Sequence, residues 1–230
     1  MLTELRVLIA VPTAGMVPMG FTYSLVNLIS HHAAFGIPTR KEAKVTLGLQ
    51  TIQSSCIHSN REQLAAAAVS EGYTHLMFLD DDMTFHQTIL EIMLGRRQPV
   101  VVTNYLVKSH DPQFVAIGLD EKRVITSQES TGTIPVIYSG FGASLFEIEV
   151  FKKTPQPWFQ TIFDAPANAY TTEDFAFFER VRGAGFDVLL DQDASKLLGH
   201  IGRKAWQWDE YKAPKVELVK GESRAEQKTA

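Results

Sequence analysis

Between residues 5 and 105, short apolar runs recur, and segments with helical spacing separate them. Leu5-Arg6-Val7-Leu8-Ile9-Ala10-Val11 reads as a first strand, closed by the loop Pro12-Thr13-Ala14-Gly15. From Phe21 to Phe35, Leu25, Leu28 and Ile29 fall at helical spacing and Gly36 supplies the stop. His31 and His32 sit in the last turn of that helix, where the dipole favours cations, and carry no assigned function. Lys44 to Gln50 sets Val45, Leu47 and Leu49 on one face of a second strand, followed by the polar segment Thr51 to Ser55. Asn60-Arg61-Glu62-Gln63 has the pattern of a capped helix start before the Ala-rich segment Leu64 to Val69, and Gly72 ends it. Leu76 to Leu79 is a third strand, His86 to Gly95 a short helix, and Pro99 to Tyr105 a fourth strand centred on Val100-Val101-Val102. Such strand–helix alternation requires right-handed crossovers and predicts an α/β domain with a mainly parallel central sheet and helices on both faces.

The second half has a different pattern. Phe114 to Ile117, Arg123 to Thr126 and Ile134 to Tyr138 are short β-prone runs between turn-rich segments, which predicts mixed or antiparallel additions to the sheet. Glu147 to Lys153 reads as a helix, and Pro155 to Ala169 as a loop over the surface. Thr172 caps a helix from Glu173 to about Ala184, Gly185 stops it, and Phe186 to Leu190 forms a last strand.

The length of 230 residues suits one domain, although two small ones are also compatible with it. The expected division is a domain over 1–205, in two halves (1–105 and 106–205), then a partly flexible extension over 206–230 whose Lys/Glu-rich composition cannot bury a core. A formal charge of −4 gives no general reason to expect a polyanion partner. One cysteine, Cys56, rules out an intramolecular disulfide framework and reads as a small buried residue. With no signal-peptide pattern and no run long enough to span a membrane, the expected location is the cytoplasm.

The chemistry concentrates at the end of the third strand, where Leu76-Met77-Phe78-Leu79 runs into Asp80-Asp81-Asp82. Three adjacent like charges at a strand end are kept where a cation neutralises them. A hard divalent ion held by one or two carboxylates, with its remaining positions left to water and phosphates, is the usual arrangement for Mg²⁺ or Mn²⁺. The plainer alternative is an acidic turn capping the next helix, with Thr84 as N-cap and Gln87 completing a capping box. In open sheets ligands sit outside the carboxyl ends of the strands, so Pro12-Thr13, Ser54-Ser55 and Asp80 to Asp82 are expected to converge on one crevice.

Three further stretches carry possible chemistry. Ser139-Gly140-Phe141-Gly142-Ala143-Ser144 is a small-residue segment where a backbone can approach a ligand closely, though such glycines often only make turns. Glu173-Asp174 lies in a first helical turn, where acids are also favoured by the dipole alone. His200 stands in Gly199-His200-Ile201-Gly202 and becomes a candidate ligand beside a carboxylate metal site. Trp206 and Trp208 suit either stacking on a sugar or base or closing core or subunit contacts.

In this order the segments resemble the GT-A class of nucleotide-sugar glycosyltransferases, of the metal-dependent, family 2-like Asp-x-Asp type. The likeness runs over residues 5–203: a first strand ending in Pro-Thr, an Asn-Arg helix start, a strand ending in Asp-x-Asp, a Gly-x-Gly segment, Thr-Glu-Asp-Phe opening a helix and Gly-His-x-Gly near the end. The resemblance implies a GT-A-like fold and hexosyl transfer from a UDP- or GDP-sugar to a hydroxyl of a glycan, protein or other acceptor, with a nucleic-acid acceptor left open. It implies Asp80, Asp82 and His200 as ligands of Mn²⁺ or Mg²⁺, with Asp80 also facing the ribose. It places Pro12, Thr13 and Arg61 near the nucleotide, and Asp81, Gly140 and Gly142 also line the donor site. Asp174, with Glu173 as second choice, would be the base of an inverting transfer. The run of three acids leaves the register open by one, which would make Asp81 a ligand, and an imidazole ligand favours Mn²⁺.

Two other readings compete. Asp80-Asp81-Asp82-Met83-Thr84 also fits the opening Asp-x-Asp-x-Thr of haloacid-dehalogenase-like phosphatases, with Asp80 as the nucleophile, but that motif ends the first strand of its fold and here two strand–helix units precede it. The other is a catalytically idle nucleotide-sugar-binding module, against which the intact acids and His200 argue.

Overall fold

The computed structural model describes residues 3–41, 43–202 and 205–211. In chain order its elements are β1 (Thr3–Thr13), α1 (Met19–Phe35), β2 (Ala43–Gln53), α2 (Ile57–Ser70), β3 (His75–Leu79), β4 (Met83–Phe85), α3 (Ile89–Gly95) and β5 (Val100–Val102). There follow β6 (Ile117–Gly118), β7 (Thr133–Tyr138), β8 (Ala143–Glu147), α4 (Ile148–Lys153), β9 (Phe163–Asp164), β10 (Ala169–Tyr170), α5 (Glu173–Gly183), β11 (Val188–Asp191), α6 (Gln192–Ser195), β12 (Leu198–Ile201) and β13 (Ala205–Gln207).

An eight-stranded sheet in the order β2-β1-β3-β8-β5-β11-β7-β6 organises the chain. β1 pairs in parallel with β2 and β3, as does β5 with β11, while β8 runs antiparallel between β3 and β5 and β7 antiparallel beside β11. The α/β class with a mainly parallel sheet and mixed second half is therefore as the sequence predicts. The position of β8 is not: a strand from the second half lies in the middle of the sheet, between two from the first.

Alternation along the buried strands builds a core on each face. Leu8 and Ala10 of β1 and Leu76 and Phe78 of β3 point to one side, under α2, α4 and α5, whereas Val7, Ile9, Val11, Met77 and Leu79 point to the other, under α1 and α3. The first core is aromatic, with Phe159 stacked on Phe177 at 4.7 Å and Phe141 on Phe178 at 5.4 Å between centroids.

Several local expectations are corrected. α2 begins at Ile57, so Asn60 lies inside the helix rather than at its cap. Thr84 and Gln87 do not form a capping box: pairing of β4 with β12 draws Met83–Phe85 into a strand, and α3 starts at Ile89. Residues 155–169 hold a two-strand hairpin arm but do not lie over the surface throughout, since Trp158 and Phe159 are buried and their N–H groups donate to Glu62 at 3.2 and 3.0 Å. Cys56 is exposed, with Sγ 3.3 Å from His58 Nε2. Among the described residues no helix is long and apolar enough to cross a membrane. Residues 212–230, most of the expected extension, lie outside those described; Trp206 pairs through its backbone with His200 in the three-stranded sheet β13-β12-β4, and Trp208 follows it half-buried.

Candidate functional site

At the carboxyl edge of the sheet, β1, β2 and β3 end side by side. The end of β1 buries Pro12 and Thr13, and Thr13 O accepts from Ser54 N at 3.0 Å and from Asn60 Nδ2 at 3.3 Å. Asn60 Oδ1 in turn accepts from Ser54 Oγ at 2.5 Å. The amide thus ties the ends of β1 and β2 together from within α2, a reason for Asn60 that capping did not supply. Pro12-Thr13, Ser54-Ser55 and the acids follow the carboxyl ends of neighbouring parallel strands, so the fold sets all three segments on one edge of the sheet.

The next helical residue, Arg61, joins the two halves of the chain. It is 4% exposed; Nη2 donates to Asp80 Oδ1 at 2.6 Å and Nη1 to Glu173 Oε1 at 2.5 Å, so one guanidinium fork spans the acid turn and the start of α5. Its Cζ lies 4.6 Å from the centroid of Phe141, and its Nε has no hydrogen-bond partner among the described residues. Burial pushes the Asp80 carboxyl above the ordinary Asp value and Arg61 opposes that push, with Asp82 adding repulsion.

Asp80 to Asp82 form the turn between β3 and β4, in which Met83 N donates to Asp80 O at 3.3 Å. Antiparallel pairing of β12 with β4 sets His200 opposite Met83, and Ile201 N donates to Asp82 O at 2.7 Å. His200 is thereby carried to Asp82, with Nε2 3.4 Å from Oδ2. Its Nδ1 lies 2.8 Å from Leu106 O, which can only accept, so Nδ1 bears a proton. With a proton on Nε2 as well, the ring donates to Asp82; without one, Nε2 presents a lone pair that a cation set between the two groups can take.

Lys108 also pairs with Asp82 Oδ2. Burial acts to raise the Asp82 carboxyl, but hydrogen bonds from His200 and Lys108 and their charges outweigh it and bring the value down to about 2. Asp81 is half-buried beside them.

Glu173 and Asp174 open α5 with different surroundings. Glu173 is committed to Arg61. Asp174 Oδ1 accepts from Thr172 Oγ and from Phe175 N at 2.7 Å, while Oδ2 has no hydrogen-bond partner among the described residues. Burial pushes this carboxyl up despite the Thr172 and Phe175 bonds that lower it. Thr172 occupies the N-cap position as expected, but its hydroxyl donates to Asp174 instead of accepting from the helix.

Gly140 and Gly142 are buried, and a Cβ at either would run into the Tyr105 ring. The close approach these glycines permit is to Tyr105. That phenol is 8% exposed, stands edge-on to His200 at 5.2 Å, and is pushed up by burial and by the charges of Asp80 and Asp174. Tyr105 and Lys108 are site residues that sequence reasoning missed. Both follow the carboxyl end of β5, the position where ligand contacts concentrate in open sheets.

Chemically, the edge gathers Asp80, Asp82, Glu173 and Asp174 against two cations, the buried Arg61 and the partly exposed Lys108. Among the described residues no three His, Cys, Asp or Glu side chains stand together as a complete metal cage. Asp82 and His200 offer a two-donor set of carboxylate and oriented imidazole, which fits Mn²⁺ or Mg²⁺ when substrate oxygens and water supply the rest.

No family model and no curated protein matches the sequence. Solved structures do. The chain is similar to A197 from STIV, with a TM-score of 0.56 and 17% identity over 91% of this chain and 97% of that one. It also aligns with S. aureus TarS 1–349, solved in complex with UDP-GlcNAc, with a TM-score of 0.46 and 11% identity over 91% of this chain and 62% of that one. At such identities the first likeness shows the fold: a mixed α/β domain around a large, mainly parallel sheet, with helices around it.

Proposed function

We propose that the protein transfers a sugar from a nucleoside-diphosphate sugar to an acceptor hydroxyl, with divalent-metal dependence and inversion at the sugar carbon. The observation that carries this reading is the meeting of Asp82 Oδ2 and His200 Nε2 at 3.4 Å, with the far nitrogen of the imidazole anchored on Leu106 O. Asp82 and His200 would hold Mn²⁺ or Mg²⁺, which when bound supplies positive charge for the leaving diphosphate.

The remaining roles fall to the chain's own groups. Pro12 and Thr13 shape the end of the crevice where the base is received. Asp80, pinned by Arg61, faces the ribose; Asp81 completes the turn. Gly140 and Gly142 act on the donor site through the Tyr105 wall they admit. Asp174, raised by burial and with Oδ2 free of hydrogen bonds among the described residues, takes the proton of the acceptor hydroxyl as it attacks. Glu173 is less suited to that task because its carboxylate is tied to Arg61. For the phosphatase reading, Arg61 ties up Asp80 Oδ1, and the acid turn follows β3 rather than the first strand of the fold.

Thermal-shift screening of UDP-, GDP- and CMP-sugars with and without Mn²⁺ tests the proposal. A Mn²⁺-dependent stabilisation by one donor class that vanishes in Asp82→Ala supports it. Turnover of p-nitrophenyl phosphate that Asp80→Asn abolishes would replace it with the phosphatase, and donor binding without hydrolysis or transfer would leave an idle module.

A further inference from the structure

One short segment touches both members of the Asp82–His200 pair. Leu106 bridges to Phe114 and Val107 N donates to Gln113 O at 2.9 Å, so residues 106–114 form a small arm beside the acid turn. Its tip is braced by Ser109 Oγ donating to Asp111 O at 2.5 Å and Gln113 Nε2 to Asp111 Oδ2 at 3.3 Å. From this arm Leu106 O holds His200 Nδ1, and two residues later Lys108 Nζ pairs with Asp82.

The oxygen contacted by Lys108 is Oδ2, the same one that His200 Nε2 faces. A hard divalent ion shared by Asp82 and His200 needs that oxygen at about 2.0–2.2 Å. An ammonium seated on it would then lie within a few ångströms of a doubly charged ion, and their Coulomb repulsion, screened at this partly exposed turn, sets the two cations in competition for Asp82. Lys108 is 36% exposed on a four-carbon stem and can swing into solvent, whereas Leu106 is buried and paired.

We infer that Lys108 is a built-in competitor for the cation site: its ammonium neutralises Asp82 in the resting protein and is displaced when a divalent ion arrives. This rests on the reading of Asp82 and His200 as cation ligands. The device keeps the acid turn neutralised before substrate binds, since Arg61 is committed to Asp80 and Glu173.

Titration of Mn²⁺ into the full chain without nucleotide, read from the electron paramagnetic resonance signal of free Mn²⁺, tests the competition. Lys108→Met should bind Mn²⁺ on the order of fivefold more tightly than wild type, the scale set by loss of one partly exposed ion pair. Lys108→Arg, which keeps the charge, should bind like wild type, and adding Asp82→Asn to Lys108→Met should abolish the gain. Equal or weaker affinity in Lys108→Met overturns the competitor while leaving the metal reading intact. No binding in any of the proteins overturns both.

Discussion

Removing Arg61 is the perturbation whose consequence the structure defines best. Arg61→Met keeps an apolar stem but removes the guanidinium that lies over Phe141 and leaves the carboxylates of Asp80 and Glu173, 22% and 23% exposed, without their cation. Breaking a fully buried pair by deleting one partner costs about 3–5 kcal/mol; with a fifth of each carboxylate still reaching solvent, about 2–3 kcal/mol is expected at pH 7. For a chain of this size that corresponds to a melting temperature lower by roughly 4–12 °C. The sign of the pH dependence follows from Asp80. Burial already holds its carboxyl above the ordinary value, and without Arg61 it rises further. An acid whose folded-state value is raised destabilises the fold when ionised, and the penalty disappears below its unfolded value of about 3.9. The deficit in urea unfolding should therefore be largest at neutral pH and shrink towards pH 4, and Glu173→Gln in the same background should recover part of it. A deficit below about 1 kcal/mol at pH 7, or one that grows as pH falls, would refute the assignment of Arg61 as the joint between the acid turn and α5.

Other outcomes follow from the same geometry. Asp174→Asn should lower transfer at least about 100-fold while leaving donor binding unchanged, whereas Glu173→Gln should mainly cost stability; the acid limb of the rate profile should lie above the ordinary Asp range because burial raises Asp174. Asp82, held at about 2, contributes stability that is present above an unfolded value of about 3.9 and is lost as pH falls through the folded one. Because its side chain is 32% exposed, the contribution is nearer about 1 kcal/mol than the full linkage value, and the urea midpoint of Asp82→Asn should trail wild type at pH 6 and converge with it near pH 2–3. Gly140→Ala should destabilise by about 1–3 kcal/mol through overpacking on Tyr105, and Tyr105→Phe, which removes the hydroxyl in the path of the new methyl group, should relieve part of the loss.

β1 and β3 were legible because their apolar runs are buried, and β2 because Val45 and Leu47 alternate with polar residues, although Leu49 on the same face is exposed. Placing β8 between β3 and β5 was not, since that pairing joins residues far apart in sequence and no local pattern encodes it. The same limit explains Thr84: its local signature is a helix cap, but the ladder to β12 wins, and this ladder is what delivers His200 to Asp82. Asn60 reads as the start of a capped helix, while in the fold it ties strand ends and its neighbour Glu62 receives the Trp158 and Phe159 N–H groups. Asp80, Asp82, Glu173 and His200 could be named from residue type and order. Arg61 as their joint, and Lys108 as an occupant of Asp82, needed the tertiary structure, because each is defined by a partner many residues away.

The central claim is that Asp82 and His200 hold a divalent ion against the diphosphate of a sugar nucleotide. Phosphorus-31 NMR of the donor with substoichiometric protein and Mn²⁺ tests it directly, because a paramagnetic ion bound beside the phosphates broadens their resonances. Broadening that depends on wild-type protein and is lost in both Asp82→Asn and His200→Ala is the predicted result. Equal broadening with all three proteins, or none with wild type, would contradict it.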